Sequence, residues 1–126
     1  MIIGLGIDLV EVSRIEAILI RHPARARDRL FTALELADCE GRRDSLVCLA
    51  ARFAAKEAFL KALGTGLRAG IAWRDISIRR GEFGRPELVV TGRAAEKLEQ
   101  LGGSAAHVSL THDAGFAAAV VAIETG

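Results

Sequence analysis

The longest regular pattern in this sequence is an apolar helix near the middle of the chain. Residues 45–63 (SLVCLAARFAAKEAFLKAL) lack proline and glycine, and at about 100° per residue their large apolar side chains gather on one face. Ser45 is the predicted N-cap, and Gly64 follows as a C-terminal stop. Such a helix is stable only when another layer covers its apolar face, so the rest of the chain has to provide that layer.

Two charged residues of this helix lie in or beside the apolar face. Lys56 falls inside the arc of apolar side chains, and Glu57 falls at its edge. A buried charge is costly unless it is paired or bound to a metal ion, so Glu57 is a candidate ligand. The alternative is that Glu57 and Lys61 form an ordinary i,i+4 pair on a solvated flank, worth only about 0.2–0.5 kcal/mol. The helix pattern alone leaves both interpretations open.

Residues 2–10 (IIGLGIDLV) predict a strand whose two faces differ. We expect the face with the large alternate residues to be the core face: Ile3, Leu5, Ile7 and Leu9. The opposite face carries Gly4 and Gly6 before it reaches Asp8, which leaves room for a ligand or for another backbone. An acidic residue at a strand end is otherwise a turn former or a helix cap, and this alternative stays open for Asp8.

The other elements follow from capping boxes, turns and apolar alternation. Ser13 with Glu16, and Thr32 with Glu35, are capping boxes that predict helices over 14–22 and 33–40, and Pro23 ends or bends the first of these. Further strands are predicted over 73–80, 87–91, 107–112 and 116–123, with a helix over 93–101. This order indicates an α+β fold: one domain over 1–126, with a mainly antiparallel or mixed sheet packed on the long helix.

Composition limits the classes of function. With 126 residues and a net charge of +1, the chain has neither the basic excess typical of nucleic-acid binding nor an apolar run long enough for a membrane span. The hydrophobic fraction is 51% but aromatic residues are only 5%, so we expect oligomerisation to bury part of the apolar surface. The N-terminus lacks a signal-peptide pattern. Cys39 and Cys48 lack metal-ligand spacing, and we expect them to be free thiols in the core of a reduced, cytoplasmic protein.

Several segments occur together in the order and spacing of a known family. They are GIDLVEVSRI, FTALELADCE, ARFAAKEAFLKALGTG, WRDI, GRP at 84–86, HVSLTH and the alanine-rich last strand. Over essentially the whole chain they resemble holo-[acyl-carrier-protein] synthases, the small trimeric class of the 4′-phosphopantetheinyl transferase superfamily. The resemblance implies the fold of that superfamily. It also implies magnesium-dependent transfer of 4′-phosphopantetheine from coenzyme A to a serine of apo-acyl carrier protein, releasing 3′,5′-ADP, for fatty acid or polyketide synthesis.

The resemblance also implies roles for individual residues. Asp8 and Glu57 match the magnesium ligands, and Lys61 matches the catalytic lysine beside the coenzyme A phosphates. His112 matches the histidine that contacts the nucleotide phosphate. The other positions that match the coenzyme A pocket are Arg52, Lys56, Gly64, Thr65, Gly66, Arg85 and Pro86. Whether Glu57 or a metal-bound water activates the serine stays open.

Two partners follow from the same resemblance. The acidic helix of acyl carrier protein is expected to bind the first helix and the arginines near it, namely Arg14, Arg21 and Arg25. The alternative, from composition alone, is that these arginines belong to an ordinary solvated helix and loop. The second partner is the protein itself, since the resemblance implies a homotrimer with active sites at subunit interfaces.

Two positions depart from the patterns of the superfamily. Val10 stands where the larger, monomeric transferases have a second acid two residues after the aspartate, so a two-carboxylate site with more water on the metal is expected here. Thr111 stands where serine is common.

Two other functions compete with transfer: a non-enzymatic module that binds acidic helices, and a metal-dependent hydrolase of nucleotides or coenzyme A. The first would leave Asp8, Glu57 and Lys61 without a joint role.

Overall fold

The computed structural model describes residues 1–126 and contains five strands and five α-helices. In chain order they are β1 (Ile2–Glu11), α1 (Val12–Arg21), α2 (Pro23–Leu30), α3 (Ala33–Cys39), α4 (Ser45–Leu63), β2 (Ile76–Arg80), β3 (Pro86–Val90), α5 (Gly92–Leu101), β4 (Ala105–Asp113) and β5 (Phe116–Glu124). Short 3₁₀ turns precede β2 (Trp73–Asp75) and join it to β3 (Glu82–Gly84). None of the helices combines the length and the apolar content that crossing a membrane requires.

The strands form two antiparallel sheets. One has three strands in the order β1-β5-β4, and the other is the hairpin of β2 and β3. The long helix α4 packs against β1 and β5, while α1 and α3 also contact it. Because every strand pair is antiparallel and helices pack on the three-stranded sheet, the α+β prediction is confirmed.

Helix α4 lies directly on the glycine face of β1. A Cβ atom added to Gly4 would collide with the carbonyl oxygen of Ala62, and one added to Gly6 would collide with that of Ala58. Only glycine allows this approach, since any side chain would push the strand away from the helix. On the same face of the sheet, β5 contributes buried apolar residues: Ala117, Ala119, Val121 and Ile123.

The prediction that the large alternate residues of β1 form its core face is therefore wrong. Leu5, Ile7 and Leu9 are 64–68% exposed, whereas Val10, on the glycine face, is 2% exposed. Apolar alternation shows which residues share a face, but here both faces lack charge until Asp8. The close helix contact selected the face without side chains, and the large residues lie on the outer face of the sheet.

The helix boundaries also differ at several points. Helix α1 begins at Val12 with Glu11 in the N-cap position, so Ser13 and Glu16 form no capping box. Asp44, not Ser45, is the N-cap of α4. The sequence patterns missed α2, in which Pro23 is at the first turn, where its lack of an N–H costs nothing. The capping box of Thr32 and Glu35 and the left-handed Gly64 are both confirmed.

The structure overturns the expectation of free thiols, because Cys39 and Cys48 form a disulfide. Cys39 is the last residue of α3, and Cys48 lies in the first turn of α4. The loop between the two helices turns the chain back so that the Cα atoms are 5.6 Å apart, within the range that a disulfide spans. The spacing of the two cysteines in the sequence does not reveal this return.

We predict that Gly6→Ala destabilises the protein by about 1–3 kcal/mol, because the new methyl group would overlap the backbone of α4. Chemical denaturation monitored by circular dichroism measures the change. Gly126→Ala is the matched control, since its Cβ would meet only the movable side chain of Ser104, and we expect a change below about 0.5 kcal/mol. Equal stability of the Gly6→Ala variant and the unmodified protein would contradict the close contact of β1 with α4.

Candidate active site

Asp8 lies near the end of β1, next to the C-terminal half of α4. Its side chain is 16% exposed, and its Oδ1 accepts a hydrogen bond of 3.1 Å from Lys61 Nζ. Lys61 Nζ also donates to the carbonyl oxygen of Ile7 at 3.0 Å. The lysine therefore fixes the end of the strand as well as the carboxylate. This ion pair follows from the packing at Gly4 and Gly6, which brings alternate residues of β1 against successive turns of α4.

Glu57 is close enough to Asp8 for the two negative charges to interact. Burial raises the pKa of Glu57 above its ordinary value, and the charge of Asp8 raises it further. Lys61 and Arg14 act in the opposite direction. Two carboxylates from distant segments thus share one site, with the ammonium group of Lys61 and the guanidinium group of Arg14 as the opposing cations. Carboxylate oxygens are the ligands that hard divalent cations prefer, so Asp8 and Glu57 could hold one.

This pair has no third metal-binding neighbour of the usual kinds. The structure contains no group of three or more His, Cys, Asp or Glu side chains placed to hold a metal ion. Val10 is buried in the core, so its position supplies no further oxygen to Asp8 and Glu57. A cation here would need to complete its coordination shell with water and with oxygens of a ligand.

A second, strongly basic site is a pocket of about 490 Å³ between the first half of α4, the β2–β3 hairpin and β4. It brings together four residues predicted to contact coenzyme A: Arg52, Arg85, Pro86 and His112. Three further arginines line it that the sequence patterns missed: Arg42, Arg79 and Arg80. The only signal for these was their positive charge, because their convergence depends on how the hairpin folds over α4. The pocket is suited to a ligand with several negative charges.

Arg52 is almost enclosed at the wall of this basic pocket, with 6% of its surface exposed. Its Nη1 donates to Cys48 Sγ at 3.1 Å, and its Nη2 donates to Asp38 Oδ2 at 3.4 Å. Its Nε has no hydrogen-bond partner although it is buried. A buried donor without a partner is costly unless a ligand satisfies it, which is consistent with anion binding at this wall.

Lys56 does not face a ligand site. Its side chain is fully buried and forms an ion pair of 2.5 Å with Glu35. Its Nζ also donates to the carbonyl oxygens of Leu30 at 2.8 Å and Trp73 at 3.2 Å. Burial lowers the pKa of Lys56, and Glu35 opposes the change. The implied contact with coenzyme A is therefore not met in this structure, where Lys56 connects α4 to α2, α3 and the turn before β2.

The glycine-rich loop after α4 lies apart from the basic pocket. Gly64 and Gly66 have positive φ angles of 80° and 61°, and Thr65 Oγ1 donates to the carbonyl oxygen of Gly66 at 3.0 Å. None of the three lines the pocket that contains His112, and neither do Asp8, Glu57 and Lys61. One chain thus presents two separate clusters, one of carboxylates with a lysine and one of arginines with a histidine.

The predicted carrier-binding arginines lie around α1 and α2. Arg14 is close enough to Glu57 to lower its pKa, and Arg25 lines a cleft of about 440 Å³. Apolar and basic side chains share that cleft: Ile18, His22, Arg25, Ala26, Arg29, Leu30, Phe53 and Trp73. The rings of Phe53 and Trp73 pack at 5.1 Å between centroids and form its floor. The cleft combines an apolar centre with a basic rim, and Arg21 ends the helix beside it.

Comparison with known proteins identifies the class to which this fold and site belong. The chain belongs to the 4′-phosphopantetheinyl transferase superfamily, whose family model matches residues 4–121. It is 48% identical over 124 residues to the holo-[acyl-carrier-protein] synthase of Trichlorobacter lovleyi, with 98% of each chain covered.

Solved structures agree with this assignment. The crystal structure of holo-[acyl-carrier-protein] synthase from Neisseria meningitidis superposes with a TM-score of 0.89 at 36% identity, covering 99% of this chain and 100% of that one. The Helicobacter pylori synthase in complex with coenzyme A gives a TM-score of 0.84 at 31% identity, covering 95% and 99%. The family resemblance, the fold and the transferase class predicted from the sequence are confirmed.

We predict that Glu57→Gln slightly stabilises the metal-free protein at pH 7. The substitution removes a partly buried charge next to Asp8, and the gain should stay below about 1 kcal/mol because water screens the pair. Because the folded-state pKa of Glu57 is raised, its ionisation costs stability as pH rises from the ordinary value of 4.5 through the folded value. The advantage of the variant should therefore disappear below that range.

Urea denaturation in the presence of a chelator, at a series of pH values, measures this effect. Glu99→Gln on the exposed side of α5 is the matched control and should change stability little at any pH. A Glu57→Gln variant that is less stable than the unmodified protein at pH 7 would show that the charge of Glu57 stabilises the fold.

Proposed function

We propose that this protein transfers 4′-phosphopantetheine from coenzyme A to a serine of apo-acyl carrier protein and releases 3′,5′-ADP. The observation that carries the proposal is the meeting of Asp8 from β1 with Glu57 and Lys61 from α4. Its support from relatives is that holo-[acyl-carrier-protein] synthases match the chain over nearly its full length. The product supplies the prosthetic arm on which acyl chains are built.

Magnesium is the cation that suits the carboxylate pair. Asp8 and Glu57 offer hard oxygen ligands, and burial together with the charge of Asp8 raises the pKa of Glu57, so a divalent cation beside the pair would favour its ionised form. When bound, magnesium would neutralise charge on the pyrophosphate of coenzyme A during transfer. We propose Asp8 and Glu57 as its protein ligands.

The chain's own residues would bind and orient the substrate. Lys61, which already contacts Asp8, has 54% of its side chain exposed and can turn towards a phosphate without leaving the site. His112 and the surrounding arginines can bind the other phosphate groups through charge-assisted hydrogen bonds. The carrier serine would attack the phosphorus nearest to pantetheine, and the 3′,5′-ADP group would leave while still held by cationic side chains.

We also propose that the active site forms between copies of the chain in a homotrimer. Asp8, Glu57 and Lys61 lie outside the basic pocket of His112, so a second copy that brings one cluster to the other would complete the site. The outer face of the sheet is a suitable contact surface, because it exposes Leu5, Ile7, Leu9 and Val120. An apolar row of this kind on a small domain is typical of a subunit interface.

The cleft around Trp73 is the proposed docking site of the carrier. Arg14, Arg21 and Arg25 can attract an acidic helix, while Phe53 and Trp73 offer an apolar surface for its large side chains. The cleft borders α1, from which Arg14 reaches the surroundings of Glu57. A carrier bound here would have its serine near the carboxylate pair.

Because coenzyme A and carrier proteins are the substrates, we place the reaction in the cytoplasm.

We predict that Glu57→Gln abolishes transfer while the protein stays folded and still binds the carrier. Intact-mass spectrometry of apo-acyl carrier protein, incubated with coenzyme A and magnesium, detects the added pantetheine arm. The matched control is Glu99→Gln, which should transfer at the normal rate. Modification at the normal rate by the Glu57→Gln variant would exclude the proposed ligand set.

The same experiment separates transfer from hydrolysis. In a parallel reaction without carrier, coenzyme A should remain intact. Release of 3′,5′-ADP under those conditions would instead favour a hydrolase.

We predict that Arg25→Glu raises the KM for the carrier about 5- to 10-fold at low salt, with kcat nearly unchanged. The effect should shrink as salt rises, because the attraction is between exposed charges. Trp73 is the only tryptophan, so its fluorescence should change when the carrier binds the unmodified protein. Lys97→Glu on α5 reverses the same charge away from the cleft and should leave the KM unaltered. An equal effect of both variants would contradict docking at this cleft.

A further inference from the structure

The disulfide between Cys39 and Cys48 lies at the wall of the basic pocket. Cys48 is one of the residues lining this pocket, and Cys39 and Cys48 are only 1% and 6% exposed. The bond ties the C-terminal end of α3 to the first turn of α4 and closes the loop between these helices. It is thus a buried covalent link at the wall of the basic pocket and not an exposed cross-link at the protein surface.

The guanidinium of Arg52 is held from two sides by this junction. Arg52 lies one turn after Cys48 on α4, and its Nη1 donates to Cys48 Sγ at 3.1 Å and to the Cys48 carbonyl oxygen at 3.4 Å. Its Nη2 donates to Asp38, the residue just before Cys39. The same Asp38 oxygen accepts the backbone N–H of Arg80 at 3.2 Å, which ties the hairpin to the junction. The remaining donor, Nε, is buried without a partner.

We propose that Cys39 and Cys48 form a reversible oxidation site that positions Arg52 to bind phosphate in the basic pocket. The inference rests on the proposed function, in which this pocket takes phosphate groups of coenzyme A. In the oxidised protein the guanidinium is fixed before the ligand arrives, so binding loses little side-chain entropy. Reduction leaves the pocket in place but loosens the group that lines its wall, and affinity for the ligand's phosphates falls.

The reduction step is an ordinary thiol–disulfide exchange. Two thiol groups of a low-molecular-weight thiol or dithiol are oxidised to a disulfide, and Cys39 and Cys48 each gain one electron and one proton. The two sulfur atoms then separate to a non-bonded distance, and the loop between α3 and α4 is no longer closed. Asp38 at the end of α3 gains freedom with it, so the contacts of Arg52 with Cys48 Sγ and with Asp38 lose their fixed geometry.

The rest of the fold should survive reduction, because α3 has a second anchor at its other end. Glu35, in its first turn, pairs with Lys56 and accepts the backbone N–H of Ile78 at 3.0 Å. Thr32 caps the same end. The disulfide therefore controls only the C-terminal end of α3, next to Arg52. A cytoplasmic protein would meet reducing thiols, and disulfides in that compartment are mostly transient or redox-sensing.

The existence of the bond is tested by thiol counting. The protein is treated with oxidised glutathione and then unfolded in denaturant that contains iodoacetamide. Its intact mass should then show no alkyl adduct. After dithiothreitol the protein should take up two. Two adducts without reductant would overturn the inference at this first step.

The role of the bond is tested by the affinity for 3′,5′-ADP, which carries phosphates but no thiol that could itself reduce the protein. By calorimetry we expect dithiothreitol to weaken binding about 5- to 10-fold in the unmodified protein. The double variant Cys39→Ser/Cys48→Ser should bind 3′,5′-ADP with the affinity of the reduced protein, and dithiothreitol should not change that affinity. In the Arg52→Gln variant, reduction should cause no further loss, since the group being positioned is gone.

A merely structural disulfide gives a different result. Thermal unfolding of both redox forms would then show a lower Tm on reduction, with the same affinity for 3′,5′-ADP, and the inference would be overturned. An equal loss on reduction in the Arg52→Gln variant would also overturn it, because the effect would not act through Arg52. Normal transfer with redox-independent affinity would leave the proposed function intact, whereas absence of transfer in every redox state would refute that function itself.

Discussion

The contact between the glycines of β1 and the backbone of α4 determines where the proposed active-site groups can lie. With Gly4 against Ala62 and Gly6 against Ala58, the strand advances two residues for each turn of the helix. Asp8 then lies one step further along α4, where Glu57 is close enough to interact with it and the long side chain of Lys61 reaches back to its carboxylate, although about fifty residues separate them in the sequence. A bulkier strand would sit farther from the helix and the two carboxylates would not interact. The meeting of Asp8 with Glu57 and Lys61 thus depends on the absence of two side chains, at Gly4 and Gly6.

The sequence allowed the carboxylates to be found but not their surroundings. The helix of Glu57, the strand of Asp8 and the family were recognised, because the local patterns are strong and the motif spacing is specific. The orientation of β1 was wrong, since Leu5, Ile7 and Leu9 look like core residues when the strand is considered alone. In a single chain these three residues are exposed, and α4 packs against the opposite face of β1, where Gly4 and Gly6 have no side chains.

Other features could not be predicted because they depend on how distant segments return to each other. The pairing of Cys39 with Cys48 follows from the course of the loop between α3 and α4. The gathering of Arg42, Arg79 and Arg80 beside Arg52 follows from the position of the hairpin. Lys56 matched a family position, yet only the structure shows that Glu35, from another helix, encloses and neutralises it. Motif spacing identifies which residues matter more readily than which neighbours they have.

Lys56 and Glu57 are adjacent in the sequence but belong to different parts of the molecule. The first points into the core and joins three segments through its contacts with Glu35 and with the carbonyl oxygens of Leu30 and Trp73. The second points to the site shared with Asp8. Because consecutive residues of a helix differ by about 100°, inserting or deleting one residue upstream in α4 would turn both side chains away from their partners at once. The positions of both side chains therefore depend on the number of residues that precede them in α4. A single substitution in α4 affects one of these two places, whereas a change in length would disturb the buried pair of Lys56 and the site shared with Asp8 together.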